Sequence, residues 1–200
     1  IVLTVMAGRP LCIREDIDRV DAVLYAFHGG TMQGPALANI IMGKVAPSGR
    51  LPMTFPMGEG QIPFYYNYKM PSRLMAKSPK LINDIPLRAY QFSVGESSYW
   101  LEYGNKPLYP FGYGLTYTTF EYGPVVLSDT CLIASSPYHL IASCEIKNTG
   151  KCDAVAVPQL YIRDVVGTLT RPLRELKGFQ RVNIPAGETR TVTFEISEQD

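Results

Sequence analysis

The chain has 200 residues, of which 46% are hydrophobic and 18% are charged, and its formal net charge is +1. This composition is typical of a globular protein with enough apolar side chains to form a core. A charge so close to neutral gives no reason to expect nucleic acid or an anionic membrane as a partner. No apolar run approaches the ~20 residues that a membrane-spanning helix requires.

The first third of the chain has the pattern of an α/β domain. Ile1–Met6 and Ala22–Phe27 are short, continuous apolar runs, which predict buried strands of a parallel sheet. After the second run, Pro35 is placed for the first turn of a helix and Gly43 for its end. Because the chain begins inside a predicted core strand, we expect it to be a piece of a longer polypeptide.

The middle of the chain, residues 61–120, is rich in Tyr and Pro and has little sustained periodicity. Its aromatic content argues against a disordered linker, because disordered segments are poor in aromatic residues. We therefore interpret it as an ordered segment. The aromatic residues that support this interpretation are Tyr65, Tyr66, Tyr68, Tyr90, Phe92, Tyr99, Trp100, Tyr103 and Tyr109.

Residues 107–120, PLYPFGYGLTYTTF, combine two prolines, two glycines and five aromatic residues. Proline fixes φ and glycine permits turns, so the run predicts a rigid, packed connector between two globular bodies. We expect its large rings to be buried at that junction and its glycines to allow close backbone approach. The rings are Phe111, Tyr113, Tyr117 and Phe120, and the glycines are Gly112 and Gly114.

The last third of the chain predicts an all-β domain. Leu140–Ile146 and Val192–Ile196 alternate apolar with polar residues, and residues 155–162 are interpreted as a strand between them. Short strands with intervening turns favour a sandwich. Residues 121–200 are fewer than the roughly 100 of an immunoglobulin-type domain, so we expect its final strands to lie beyond Asp200.

The connector resembles PLFPFGYGLSYTTF of glycoside hydrolase family 3, the family of many β-glucosidases. Further segments resemble motifs of that family in the same order, at residues 6–11, 29–39, 47–56, 61–66, 147–150, 159–164 and 171–179. The resemblance implies an α/β remnant followed by an all-β, fibronectin III-like (immunoglobulin-type) sandwich, in a fragment of a multidomain enzyme. It implies the end of the α/β domain at 1–60, an extended arm and connector at 61–120 and the sandwich at 121–200.

The same resemblance implies the C-terminal portion of a retaining exo-β-glycosidase that removes terminal β-linked glucose from oligosaccharides or glucosides without a cofactor. The implied partners are these sugars and an N-terminal barrel domain of the same polypeptide, and the implied location is periplasmic or secreted. The alternatives are a β-xylosidase or an α-L-arabinofuranosidase of the same family, or a non-catalytic carbohydrate-binding module. The α/β remnant counts against the last alternative.

Retaining enzymes need two carboxyl groups about 5–5.5 Å apart. The resemblance places the nucleophilic Asp in the barrel and the acid/base Glu on a loop upstream of Ile1, so no catalytic residue is expected in this chain. The first four acidic residues are interpreted as part of a solvated loop or helix start: Glu15, Asp16, Asp18 and Asp21. Glu59 is interpreted as an exposed turn residue, and Glu102 as a structural residue.

The candidate substrate-pocket rim is His28, Gly30 and Thr31, which follow the second predicted strand. Ligands of open α/β sheets gather beyond the carboxyl ends of strands. The alternative is a hydrogen-bonded His28 that only shapes the loop, and we favour this alternative. His139 is interpreted as a surface residue of a sandwich strand.

The four cysteines show neither a Cys-x-x-Cys pair nor zinc-like spacing with the two histidines, so no metal site is expected. They allow three disulfide pairings. Cys144 alternates with buried positions of its strand and is interpreted as a buried free thiol.

Overall fold

The computed structural model of the protein describes residues 1–70, 80–90, 100–131, 138–198 and 200. The chain divides into two compact units. The first unit comprises Ile1–Leu37, Leu51–Tyr113 and Arg163–Arg174, and the second comprises Ala38–Arg50, Gly114–Ile162 and Glu175–Asp200. Each unit is therefore assembled from three separate segments of the sequence.

A parallel pair of strands opens the first unit. β1 (Val2–Val5) pairs with β2 (Ala22–Tyr25), and the short helix α1 (Arg14–Ile17) lies between them in the chain. Both predicted strands are confirmed, although each is shorter than its apolar run. The second strand, β2, ends before the end of its apolar run because Phe27 adopts a φ of 50°, which is incompatible with an extended strand.

The predicted helix is α2 (Gln33–Ile41). Pro35 lies in its first turn, where the missing backbone donor costs nothing. Gly43 adopts a φ of 70°, and its N–H donates to the carbonyl of Ile40 at 2.9 Å. This left-handed glycine ends the helix as the sequence predicts.

Two stretches of the first unit are joined through Phe55, whose side chain is 1% exposed. The backbone N–H of Phe55 donates to the carbonyl of Tyr109 at 2.8 Å, and the N–H of Leu108 donates back to Phe55 at 2.9 Å. The Phe55 ring packs edge-on against Tyr25 of β2, with centroids 4.7 Å apart. Residues 108–109 are thus attached to the segment that follows α2.

The described residues of 61–113 are held by short turns and stacked rings. 3-10 helices cover Glu59–Gln61 and Ile82–Asp84. Phe64 stacks on Trp100 with centroids 4.9 Å apart. These contacts support an ordered segment, although Tyr90 is 93% exposed. Phe92 and Tyr99 lie outside the described residues.

The second unit is built from eight strands among its described residues, as the all-β pattern predicts. The strands are β3 (Phe120–Tyr122), β4 (Val126–Leu127), β5 (His139–Asn148), β6 (Ala154–Ala156), β7 (Gln159–Ile162), β8 (Glu175–Phe179), β9 (Val182–Ile184) and β10 (Thr189–Ser197). β5 pairs antiparallel with β10 on one side and with β3 and β4 on the other. β6 pairs with β9, and β7 pairs with β8.

The prediction of one strand over residues 155–162 is wrong. The structure has β6 and β7, which belong to different sheets and are separated by Val157 and Pro158. Proline cannot donate to a ladder hydrogen bond, so Pro158 ends the pairing of β6 and the chain continues in a second sheet.

The core of the second unit is a cluster of alternating strand residues: Ile146, Ala156, Ile184 and Val192, each at most 3% exposed. Phe120, Val182 and Phe194 pack against it. Beside this cluster, the side chain of Asn148 is completely buried. Its amide nitrogen donates to the carbonyls of Cys152 (2.8 Å) and Ile184 (2.9 Å), which satisfies a polar group that would otherwise destabilise the core.

The connector is packed less completely than predicted. Phe111 and Phe120 are half-buried, but Tyr113 and Tyr117 are 37% and 48% exposed, so the prediction of burial is wrong for the two tyrosines. A phenol retains a polar tip, and the Tyr117 hydroxyl donates to the carbonyl of Ile40 at 2.8 Å. The prediction for Gly114 is confirmed, since a Cβ there would lie 2.4 Å from the Gly49 carbonyl oxygen.

Candidate functional site

Loops after β1 and β2 meet because the carboxyl ends of parallel neighbours share one edge of a sheet. His28 follows β2, and its imidazole lies over Gly8, which follows β1; a Cβ at Gly8 would lie 2.7 Å from His28 Nε2. The hydroxyl of Tyr25 donates to the carbonyl of Arg9 at 2.6 Å. Burial raises the pKa of this tyrosine above its ordinary value.

The double-glycine loop continues this edge. Gly30 adopts a φ of 67° with open space where a Cβ would lie, so glycine is needed there for its backbone conformation. The N–H of Gly29 donates to Gln33 Oε1 at 3.2 Å, which attaches the loop to the start of α2. Thr31 and His28 are both exposed. The three candidate rim residues therefore share one loop, and His28 contacts the neighbouring loop through Gly8.

A second candidate site is a cavity of about 410 Å³ in the first unit, which we call the aromatic pocket. In the sequence the aromatic residues of this region indicate an ordered segment and, under the carbohydrate-binding-module alternative, a source of stacking platforms, but nothing in their spacing shows that distant segments converge. The lining residues are Thr54, Pro63, Phe64, Tyr65, Tyr66, Tyr68, Trp100, Asn105, Lys106, Pro107, Pro110 and Arg174.

Buried polar contacts hold the walls of the aromatic pocket together. Gln61 is 0% exposed, and its Oε1 accepts from the N–H of Met57 at 2.7 Å. Its amide nitrogen donates to the carbonyls of Lys106 (3.1 Å) and Gly104 (3.4 Å). Gln61 therefore fixes the segment that leads into residues 63–68 against the segment at 104–106.

Arg174 lines the aromatic pocket from a distant part of the sequence, and contacts of residues 173–174 attach it to the segment at 66–68. Arg174 donates from Nε to the carbonyl of Tyr66 at 3.2 Å, and the N–H of Leu173 donates to the carbonyl of Tyr68 at 3.0 Å. The Tyr66 ring stacks on Phe111 with centroids 4.2 Å apart. Backbone and side-chain contacts thus fix both the path and the ring orientation of this segment.

Four carboxylates line another cavity of the first unit, of about 630 Å³, together with Cys12 and Tyr103. They are Glu15, Asp16, Asp18 and Glu59, all exposed. Burial raises the pKa of the Cys12 thiol, and the negative charge of Glu59 raises it further. The exposure of these four carboxylates agrees with their interpretation as solvated residues. The sequence did not predict that Glu59 would line the same cavity as the other three.

The four cysteines are free, and Cys144 is half-buried rather than fully buried. His139 is exposed at the start of β5, as expected. Among the described ranges, no group of three or more His, Cys, Asp or Glu side chains is arranged to hold a metal ion. The helices in that same part of the chain are all too short or too polar to span a bilayer.

Comparison with known proteins relates both parts of the chain to one enzyme family. Residues 1–117 match the "Glycosyl hydrolase family 3 C-terminal domain", and residues 156–200 match the "Fibronectin type III-like domain". A periplasmic beta-glucosidase of Salmonella typhimurium is 38% identical over 98% of the chain and 24% of its own length. A beta-xylosidase of Formosa agariphila is 36% identical over 98% of the chain and 24% of its own length.

A solved structure has the same fold. The crystal structure of a beta-glucosidase from Listeria innocua in complex with isofagomine superimposes with a TM-score of 0.79 and 34% identity, over 98% of the chain and 25% of that protein. The chain spans about a quarter of the length of the curated relatives it matches. On the match to its C-terminal domain over residues 1–117, the chain belongs to glycoside hydrolase family 3.

Proposed function

We propose that the complete protein is a retaining exo-β-glycosidase that hydrolyses terminal β-linked glucose from oligosaccharides or glucosides. The observation that carries this proposal is the match of residues 1–117 to the C-terminal domain of glycoside hydrolase family 3, followed by the match of residues 156–200 to a fibronectin type III-like domain. Relatives named beta-glucosidase, at 38% and 34% identity over nearly the whole chain, support glucose as the sugar. The reaction proceeds by double displacement and needs no cofactor.

Within that enzyme, residues 1–200 complete and brace the substrate pocket rather than perform the chemistry. The catalytic Asp and Glu lie in polypeptide upstream of Ile1, and the barrel that carries the Asp is the partner of this portion. His28, Gly30 and Thr31 form part of the pocket rim, supported by their position beyond β2. The proposed domains are 1–60, 61–120 and 121–200, and the proposed location is periplasmic or secreted, supported by the name of the Salmonella relative.

A second candidate function is supported by the Formosa relative, which is named a beta-xylosidase and is almost as similar. Xylose lacks the hydroxymethyl group of glucose. The two activities would therefore differ in how the complete pocket accommodates that group, and both use the same pair of carboxylates.

The complete gene product tests these alternatives with 4-nitrophenyl β-D-glucopyranoside, β-D-xylopyranoside and α-L-arabinofuranoside. We expect the glucoside to have the highest kcat/KM, with product of retained anomeric configuration. Residues 1–200 alone should show no saturable hydrolysis. A preference for xyloside would replace the proposed sugar, and activity of the isolated chain would contradict the upstream location of the carboxylates.

A further inference from the structure

The aromatic pocket combines flat apolar walls with positive charge. Lys106 and Arg174 line it, and among the residues that the structure describes no Asp or Glu does so. In the part of the chain that the structure describes, neither cation has an ion-pair partner. An uncompensated pair of cations in an aromatic cavity favours an anionic ligand.

The walls restrict the shape of that ligand. The cavity volume of about 410 Å³ lies within the ~300–1,000 Å³ of small-molecule sites. Phe64 and Trp100 are stacked, and Tyr66 is stacked on Phe111, so these rings are held in place before a ligand arrives. Binding to fixed rings costs little side-chain entropy. A simple inorganic anion would gain nothing from such surfaces, whereas a ring-shaped ligand would bury its face on them.

The polar groups are fixed in the same way. Arg174 is oriented by its bond from Nε to the Tyr66 carbonyl, and the backbone of Lys106 is fixed by Gln61. A guanidinium and an ammonium are the side chains that best bind a carboxylate, and hydrogen bonds to charged groups are the stronger ones.

We propose that the aromatic pocket binds a carboxylate-bearing pyranose, a uronic acid unit of a glycan, with its ring on the aromatic walls and its carboxylate at Lys106 and Arg174. The site goes beyond the proposed hydrolysis of neutral glucosides, since none of its residues belongs to the His28 loop. It gives the protein affinity for acidic glycans, independently of bond cleavage.

The test is a calorimetric titration of the complete gene product, with excess isofagomine present to occupy the proposed glucoside pocket, using methyl β-D-glucuronide, methyl β-D-glucoside, benzoate and inorganic phosphate. We expect the glucuronide to bind more tightly than the other three, with an affinity that falls as salt is raised. Lys106→Gln should weaken glucuronide binding about tenfold and leave glucoside binding unchanged. Lys80→Gln removes a similarly exposed lysine outside the pocket and should change neither.

The aromatic walls are tested by Trp100→Ala, which should weaken the glucuronide about tenfold, and by Trp100→Phe, which keeps a ring face and should retain most of the affinity. Tyr90→Ala is the control, because Tyr90 is 93% exposed and does not line the pocket. If the Trp100→Ala variant does not fold, the glucuronide affinity of the Lys106→Gln variant tests the proposal by itself. Binding requires no hydrolysis, so a complete protein inactive on glucosides would leave this inference standing.

Several results would overturn the inference. One is equal affinity for glucuronide and glucoside, and another is tighter binding of benzoate or phosphate. A third is wild-type glucuronide affinity in both the Lys106 and the Trp100 variants. Protection of Lys106 from acetic anhydride in the sugar-free complete protein, with Lys80 reacting normally, would show that other polypeptide covers the pocket.

Discussion

The two units of the molecule reach order by different means. β10 of the second unit has 9 residues and pairs along its length with β5, whereas β1 of the first unit has 4. Of the buried hydrophobic residues in the described ranges, Ile13 and Phe55 belong to the first unit, and the others belong to the second. The second unit therefore depends mainly on apolar burial along a long ladder.

The first unit depends instead on a small number of specific contacts. Stacked rings, backbone pairs around Phe55 and the three bonds of Gln61 connect segments that have little regular structure. Such contacts fix geometry in detail but bury little apolar area, which is the larger source of stability. The difference suggests that the second unit supplies stability and the first supplies binding surfaces, and variants in each unit can test it.

The largest expected effect is in the core of the second unit. Ile146→Ala should destabilise this unit by about 2–5 kcal/mol, because it leaves a cavity in a cluster with no exposure. Ile141→Ala, on the same strand but 43% exposed, should cost less than about 1 kcal/mol. Native-state hydrogen exchange of the β5 and β10 amides in the complete protein would measure both. Equal costs would contradict the core assignment.

A smaller and local effect is expected in the first unit. Gln61→Leu removes three hydrogen bonds and leaves the Lys106 carbonyl and the Met57 N–H without their partner, at a cost of about 1–3 kcal/mol. Hydrogen exchange should accelerate at Met57 and leave the β5–β10 ladder unchanged. Glu59→Ala, an exposed residue of the same 3-10 helix, is the control and should change neither. Acceleration in both units would show that they do not open independently.

The elements that could be predicted from the sequence are those with a local pattern of apolar residues. The parallel strands, α2 with Gly43 at its end, and the alternation of β5 and β10 are local patterns. The sequence-based predictions failed at two positions for different reasons. Pro158 is a local signal that ends a strand, and the prediction of one strand over residues 155–162 overlooked it. The exposure of Tyr117 depends on a distant contact, the bond of its hydroxyl to Ile40. The aromatic pocket could not be predicted because separate segments form it, and the contacts that join them, such as the three hydrogen bonds of the buried Gln61, link residues far apart in the sequence.

The smallest expected effect is an alkaline loss of stability to which tyrosines of both units contribute, since burial also raises the pKa of Tyr122 in β3. Burial, followed by the neighbouring Tyr113 and Asp18, raises the pKa of Tyr109, and burial likewise raises the pKa of Tyr25. An unfolded tyrosine ionises near pH ~10, so the native state holds these protons more tightly than the unfolded chain does. The resulting stabilisation is complete below about pH 10 and is lost as the pH rises through the higher native values.

Phenolate absorbance, with unfolding measured at the same pH values, would detect this loss in the complete protein. Tyr109→Phe should reduce the decline in stability above pH ~10. Tyr90→Phe, at a 93% exposed position, should leave the decline unchanged. Hydrogen exchange at Phe55 and Leu108, which pair with the Tyr109 segment, should accelerate as the pH rises, and Tyr109→Phe should reduce this acceleration. Acceleration at these two amides that is the same in the variant would contradict the role of Tyr109.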